Sequence, residues 1–293
     1  MDDLRKAAPP ASAASSPAAG AAAVQINAVY DQAMYDPLYR EYWGNSDFVN
    51  FGYWTPGTRD QKEACENLME KLLAFLPGKT GTILDAACGK GATTRQLLKY
   101  YAPETVTGIN ISEKQLATCA ANAPGCRFLL MNAADLKFED GTFDNIICVE
   151  AAFHFDTRER FLREACRVLK PGGRLVLSDS LFTRWWERIK PPGRMLNYVE
   201  DAAAYRALCQ SAGFADVEIV DAREECAARF LRNCLRFLRA RCLAGAIDRD
   251  ALAKMSGRMS LYVLNIRHYL LVAARKAAAP APAVTESSTT PSL

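Results

Sequence analysis

An α/β fold, a doubly wound sheet with mostly parallel strands, is what this sequence predicts. Three observations carry that expectation. From Gly81 to Ser180 short apolar runs alternate regularly with helix-like segments. Within it, Thr82-Ile83-Leu84-Asp85-Ala86-Ala87-Cys88-Gly89-Lys90-Gly91 reads as a buried strand, an acid, a glycine turn and the start of a helix. The strands end on polar residues, which is where an open α/β sheet binds its ligand.

The elements follow in order. Residues 1–23 are rich in Ala, Pro and Ser and read as a disordered tail, and 24–78 form an aromatic-rich, mostly helical N-terminal cap. A strand is expected over 83–86 and a helix over 93–100. The next strand spans 106–109, followed by a helix over 112–123 that Ser112 can cap. Strands over 128–131 and 145–149 come next. A helix over 158–168 is ended by Lys170-Pro171-Gly172-Gly173, where proline and glycine cannot continue it. A fifth strand covers 174–179, a helix 199–212, a strand 217–220, an amphipathic helix 223–244 and a last strand 267–273. From residue 276 to 293 the chain reads as a second disordered tail.

At 293 residues, half of them hydrophobic, the chain can bury a sizeable core. A formal charge of +3 is too small to imply nucleic acid. Ten cysteines without a Cys-x-x-Cys pair and only two histidines give no metal-ligand spacing, so no metal is expected. The cysteines read instead as small core residues of a reducing, cytoplasmic setting. No secretory leader and no membrane span is expected.

The glycine turn is Gly-x-Gly, without the third glycine of a dinucleotide fingerprint or the Gly-Lys-Ser/Thr of a P-loop. In its strand–turn–helix setting, Leu84-Asp85-x-x-Cys88-Gly89-x-Gly91 resembles motif I of the class I S-adenosylmethionine-dependent methyltransferases. Asn50-Phe51-Gly52-Tyr53-Trp54 resembles the Asn-x-Gly-Tyr-Trp element of the small-molecule (natural-product and quinone-type) subgroup. The resemblance implies a Rossmann-like sheet with an antiparallel last strand. Residues 79–275 would be the methyltransferase domain, with lid insertions at about 182–200 and 223–264.

The same resemblance distributes roles around S-adenosyl-L-methionine. Asp85 and the turn through Ala87, Gly89 and Gly91 would face its amino-acid part. Asn110 stands where an acid usually accepts the ribose hydroxyls, a neutral and weaker acceptor, with Ile111 next to it. The Ala134 N–H and the Asp135 carboxylate would read the adenine edge, with Leu136 against the ring. Glu150 would approach the methionine ammonium, and Tyr53 would lie near the cofactor, as would Tyr30 or Tyr35. Asp144 reads as structural.

Methyl transfer to a hydroxyl, amine or enol carbon also needs a proton acceptor. His154 sits at a strand end facing the expected cleft, and Asp179 ends the next strand. In similar sugar O-methyltransferases these positions hold a histidine and an acid, so a His154–Asp179 base pair is expected. Packing of His154 without proton transfer is the alternative, and His268 reads as structural. Arg232, Arg236 and Arg239 share a helical face that is either solvated or docks an anionic acceptor. The implied function is O-, N- or C-methylation of a small, anionic or apolar acceptor in secondary metabolism. Methylene transfer to lipid and non-catalytic cofactor binding are the alternatives, and a homodimer is left open.

Overall fold

The structure is a computed structural model describing residues 27–189 and 194–278. The expected tail over 1–23 lies outside the described residues. The last strand runs on through Lys276, the first residue of the expected second tail, and the part of that tail from 279 to 293 lies outside the described residues.

The chain enters as a helix over 27–33 (α1), then α2 (Pro37–Tyr42), capped by Asp36, and α3 (Gln61–Leu73), capped by Asp60. The first strand, β1 (Ile83–Ala86), is buried at every position and leads through the glycine turn into α4 (Ala92–Leu97). Next come β2 (Val106–Asn110), α5 (Glu113–Asn122), β3 (Arg127–Leu130) and β4 (Phe143–Val149). Ser112 caps α5, its Oγ accepting from the Gln115 N–H at 3.2 Å, as the sequence suggested.

A 3₁₀ turn over Ala152–His154 follows β4, then α6 (Arg158–Val168) and β5 (Leu169–Phe182). The first segment expected as a lid contains α7 (Arg184–Arg188), and α8 (Ala202–Ser211) and β6 (Phe214–Asp221) return to the sheet. The second such segment is a π turn over Glu224–Ala228 running into α9 (Arg229–Leu243), then α10 (Arg249–Leu264). The chain closes with β7 (Ile266–Lys276).

The seven strands lie in the order β3-β2-β1-β4-β5-β7-β6. Pairs among β1 to β5 are parallel, whereas β7 runs antiparallel to both β5 and β6. The sheet is therefore the mostly parallel, doubly wound one expected, with an antiparallel last strand. Strand order reverses between β1 and β4, which puts a crevice beyond their carboxyl ends.

Alternation along the strands divides the interior in two. On β5, Leu175, Leu177 and Leu181 join the core that contains α6 and α8 residues such as Phe161 and Tyr205. Val176 and Phe182 face the other core, which holds α3, α4 and the lid residues Phe230 and Val263. That parity decides below which side chains can meet.

Candidate active site

The glycine turn owes its shape to backbone torsions open to few residues. Gly89 and Gly91 have φ of +54° and +85°, and Ala87 holds +68°, a left-handed conformation strained for alanine. A Cβ on Gly91 would come within 3.1 Å of the Cys119 backbone. Asp85, at the end of β1 and 1% exposed, accepts hydrogen bonds from the hydroxyls of Thr93 and Thr94, each at 2.7 Å. Burial pushes its carboxyl up to about 6, against those two hydrogen bonds. Its second oxygen, Oδ1, is buried and has no partner among the described residues. An acceptor left orphaned beside a glycine turn fits a ligand that brings a cation or a donor, as the amino-acid part of S-adenosylmethionine does.

Beyond this turn the structure redistributes several expected contacts. The Asn110 side chain is fully engaged within the loop: Nδ2 donates to Gly89 O and Gln115 Oε1, and Oδ1 accepts from the N–H groups of Ile111 and Ser112. It ties the two cofactor loops together and has no hydrogen-bonding capacity left for ribose. Ile111 remains half-buried beside it, its carbonyl accepting from Asn27 of α1. The Ala134 N–H, expected on adenine, donates to Asn132 Oδ1 at 2.9 Å. Leu136 is 3% exposed and belongs to the α6–α8 core, so it does not lie open to a ring. Asp135 stays partly exposed, with Lys137 Nζ on Oδ1 at 2.6 Å.

The Tyr53 ring packs against the core that holds α3 and lies 5.8 Å from the Lys71 ammonium, and burial, with the Glu225 charge, raises its hydroxyl above the ordinary value. Glu150, strained at φ +51°, accepts at Oε1 from the Phe51 N–H and the Tyr269 hydroxyl. Burial pushes its carboxyl up to about 8. Glu150 thus staples the Asn50–Trp54 element to the sheet. His268 pairs with Asp221 at 2.6 Å, and Asp144 is held by Thr82 and Lys170.

The expected His154–Asp179 pair does not form. Asp179 lies on the odd-numbered face of β5, toward α6 and α8, where it is bound by Arg158 and by the Tyr205 hydroxyl at 2.9 Å. His154 is reached from the cap instead: its Nε2 lies 2.8 Å from the Tyr30 hydroxyl, the two rings meeting edge to face. Phe153 packs on the imidazole with centroids 4.1 Å apart, and Phe182, Trp186 and Tyr262 of the lids continue that aromatic wall. The cap spans the cofactor loops: Asp31 accepts from Ser112 Oγ and Gln115 Nε2, and Tyr35 reaches Thr118.

Four residues that hold the surrounding loops and turns in place were not singled out in the sequence. Lys90, between the two glycines, is 3% exposed and bonds Met34 O and Asp47. Arg158 could have been found: it shares a helical face with Phe161, Leu162 and Ala165, an apolar stripe on which a charge implies a buried partner. Asn197 and Asp31 sit in segments with no periodic signal.

With this geometry in hand, the comparisons with known proteins agree. A family profile described as a methyltransferase domain matches residues 84–177, from the acid strand to β5. The chain is 31% identical to the 27-O-demethylrifamycin SV methyltransferase of Amycolatopsis mediterranei over 196 residues, 60% of this chain and 69% of that one. It is 27% identical to the O-methyltransferase resE of Aspergillus sclerotiorum over 241 residues, 76% of this chain and 86% of that protein. Among solved structures, the 4+2 cyclase SpnF superposes with a TM-score of 0.67 at 22% identity, covering 88% of this chain and 97% of its own, a likeness of fold alone. The chain belongs to the S-adenosylmethionine-dependent methyltransferases, within the small-molecule branch that its Gly-x-Gly turn and cap had suggested.

Proposed function

We propose that this enzyme methylates a hydroxyl group of a partly apolar natural product, with the Tyr30–His154 pair accepting the proton. The observation that carries the reading is the 2.8 Å approach of the Tyr30 hydroxyl to His154 Nε2, beside the aromatic wall of the lids. The Aspergillus relative's name, O-methyltransferase resE, and the 27-O-demethyl compound in the name of the Amycolatopsis relative support the same acceptor atom.

When bound, S-adenosylmethionine supplies an electrophilic methyl group on a sulfonium. Asp85, the Ala87–Gly91 turn and Ile111 are the residues that would hold it, with Asp135 at the adenine end. A hydroxyl acceptor loses its proton as its oxygen is alkylated, and a positioned base contributes about 10²–10⁴-fold. In the tautomer protonated at Nδ1, His154 accepts at Nε2, where Tyr30 now donates, and a proton released beside Tyr30 can pass to that nitrogen. Phe153, Phe182, Trp186 and Tyr262 exclude water and suit an apolar polyketide, terpenoid, aromatic or sugar acceptor. Ten free cysteines support a reducing, cytoplasmic setting.

The test is turnover with methyl-labelled cofactor on a panel of hydroxylated acceptors, with the product's methylated atom assigned by NMR. O-methyl product is expected, with kcat lowered about 10²-fold or more in His154→Ala and about tenfold in Tyr30→Phe. Product labelled only at carbon or nitrogen, or unchanged kcat in both variants, overturns the reading.

A further inference from the structure

After the π turn over Glu224–Ala228, Arg229, Arg232 and Arg236 follow one another at helical spacing along a single stripe of α9. On a free amphipathic helix such a stripe would face open water. Here it borders the loop over 54–58, and the two line an open cleft of about 260 Å³ with Trp54, Thr55 and Thr58 on the opposite wall. The loop is rigidly shaped: Thr58 Oγ1 accepts from the Thr55 N–H at 2.9 Å and shares a hydrogen bond with the Thr55 hydroxyl at 3.0 Å. Trp54 is anchored through its indole N–H on Phe51 O and its own N–H on Glu225 O.

The charges in this cleft are poorly compensated. Glu224, on Arg232, is the one carboxylate paired with these arginines among the described residues. Arg236 has only a long contact, 3.5 Å, to Asn233 Oδ1. Arg229 Nε is buried and has no acceptor among the described residues. An Arg229 Nε without an acceptor leaves that guanidinium less committed than a paired one, and the neighbouring cations add their field along the same wall.

We propose that this cleft is an anion site, outside the methyl-transfer site, that takes a phosphate or diphosphate group of a small molecule. Guanidinium forks bind phosphate oxygens in pairs, and an anion with three or more outward oxygens can engage several arginines at once. A carboxylate, with two oxygens, satisfies one fork. Of the Thr55 and Thr58 hydroxyls, which share one hydrogen bond, the second hydrogen adds a neutral donor on the facing wall. The limited volume of the cleft and the small net charge of the chain, +3, favour a compact anion over a nucleic-acid backbone.

The test is calorimetric titration at low ionic strength with inorganic diphosphate, inorganic phosphate, citrate and phenyl phosphate, without methyl acceptor. Saturable one-site binding of diphosphate is expected, weakened roughly tenfold or more in Arg229→Gln and again in Arg229→Gln/Arg236→Gln. S-adenosylhomocysteine affinity and melting temperature should stay unchanged in both variants, which separates a lost site from a lost fold. Tighter binding of phenyl phosphate than of phosphate assigns the site to an organic phosphate, and equal binding assigns it to the free ion. The proposal is overturned if diphosphate does not saturate, if citrate binds as tightly, or if the double variant binds undiminished. None of these readouts depends on the identity of the methyl acceptor.

Discussion

Arg158 holds both oxygens of the Asp179 carboxylate, Nε at 2.7 Å and Nη2 at 3.2 Å, with side chains 3% and 0% exposed. The same guanidinium donates to Ser180 O and to Asn197 O, so its donors are shared among a strand, a lid and a counter-ion. Removing one member of such a pair leaves a desolvated charge, whereas replacing both with apolar groups can be close to neutral. Arg158→Met and Asp179→Leu should each lose about 3–5 kcal/mol in urea denaturation. The double variant should recover most of that loss. Single variants within about 1 kcal/mol of the parent would show that the pair contributes little.

Asn197 connects that ion pair to the His154 turn. Its Oδ1 accepts from the Arg158 N–H at 2.6 Å, and its Nδ2 donates to Ala152 O at 3.2 Å and to Phe155 O at 3.3 Å. The two carbonyls bracket His154, so a residue of the lid sets the position of the imidazole. Asn197→Asp keeps the acceptor and loses both donors. It should lower kcat roughly tenfold while S-adenosylhomocysteine affinity, measured by calorimetry, stays within about twofold. Equal losses in kcat and cofactor affinity would assign Asn197 to general packing instead.

How much of this was legible in the sequence depends on whether an interaction is local. The Asp85 strand, its glycine turn and the Ser112 cap are read correctly because backbone torsion and capping act within a few residues. Helix α6 matches its expected span, because its apolar stripe and the Pro-Gly-Gly after it fix both ends. The His154–Asp179 pair failed on strand parity: Asp179 shares a face with Leu177 and Leu181, so it points to α6 and α8. That parity was visible in the residues, but which face held His154 depended on a 3₁₀ turn. Asn110, Ala134 and Leu136 sit where the strand-end pattern puts them. Gln115 and Asn132 take hydrogen bonds of Asn110 and Ala134, and the core buries Leu136; such commitments appear only when the loops are folded together. For the aromatic cluster around Tyr53, spacing does not say which ring turns inward.

Glu150 makes stability depend on pH with a definite sign. Burial is the largest cause of its rise from 4.5 to about 8, opposed by hydrogen bonds from Tyr269 and Phe51 and assisted by the Asp179 charge. The folded protein therefore binds this proton more tightly than the unfolded chain does. Its stabilising contribution is complete below about pH 4.5 and is lost as pH rises through about 8, on the order of 2–4 kcal/mol. Glu150→Gln keeps an acceptor for both donors and removes the ionisation. Urea midpoints measured between about pH 6 and 9 should fall in the parent and run flatter in the variant. Parallel slopes would mean that Glu150 titrates as in the unfolded chain.

Lys90 is the link between the cofactor turn and the cap. Its Nζ donates to Met34 O at 3.0 Å, pairs with Asp47 and lies 5.0 Å from the Tyr35 ring centre. Burial alone would raise the Asp47 carboxyl, but hydrogen bonds from Lys90 and Asn122, with the Lys90 charge, pull it below its ordinary value. That depressed value stabilises the cap above the unfolded carboxylate range and ceases to do so as pH falls through the folded value. Lys90→Met keeps the apolar stem and deletes the charge, leaving Asp47, 18% exposed, without its main partner. The loss should fall on the cap and not on the sheet. Amide exchange over residues 34–47 should accelerate by about tenfold or more, while β1, β4 and β5 keep their protection. S-adenosylhomocysteine affinity should weaken with it, because the cap closes over the loops that Asp31 and Tyr35 touch. Uniform acceleration across cap and sheet would show that Lys90 supports the whole fold and is no specific clasp.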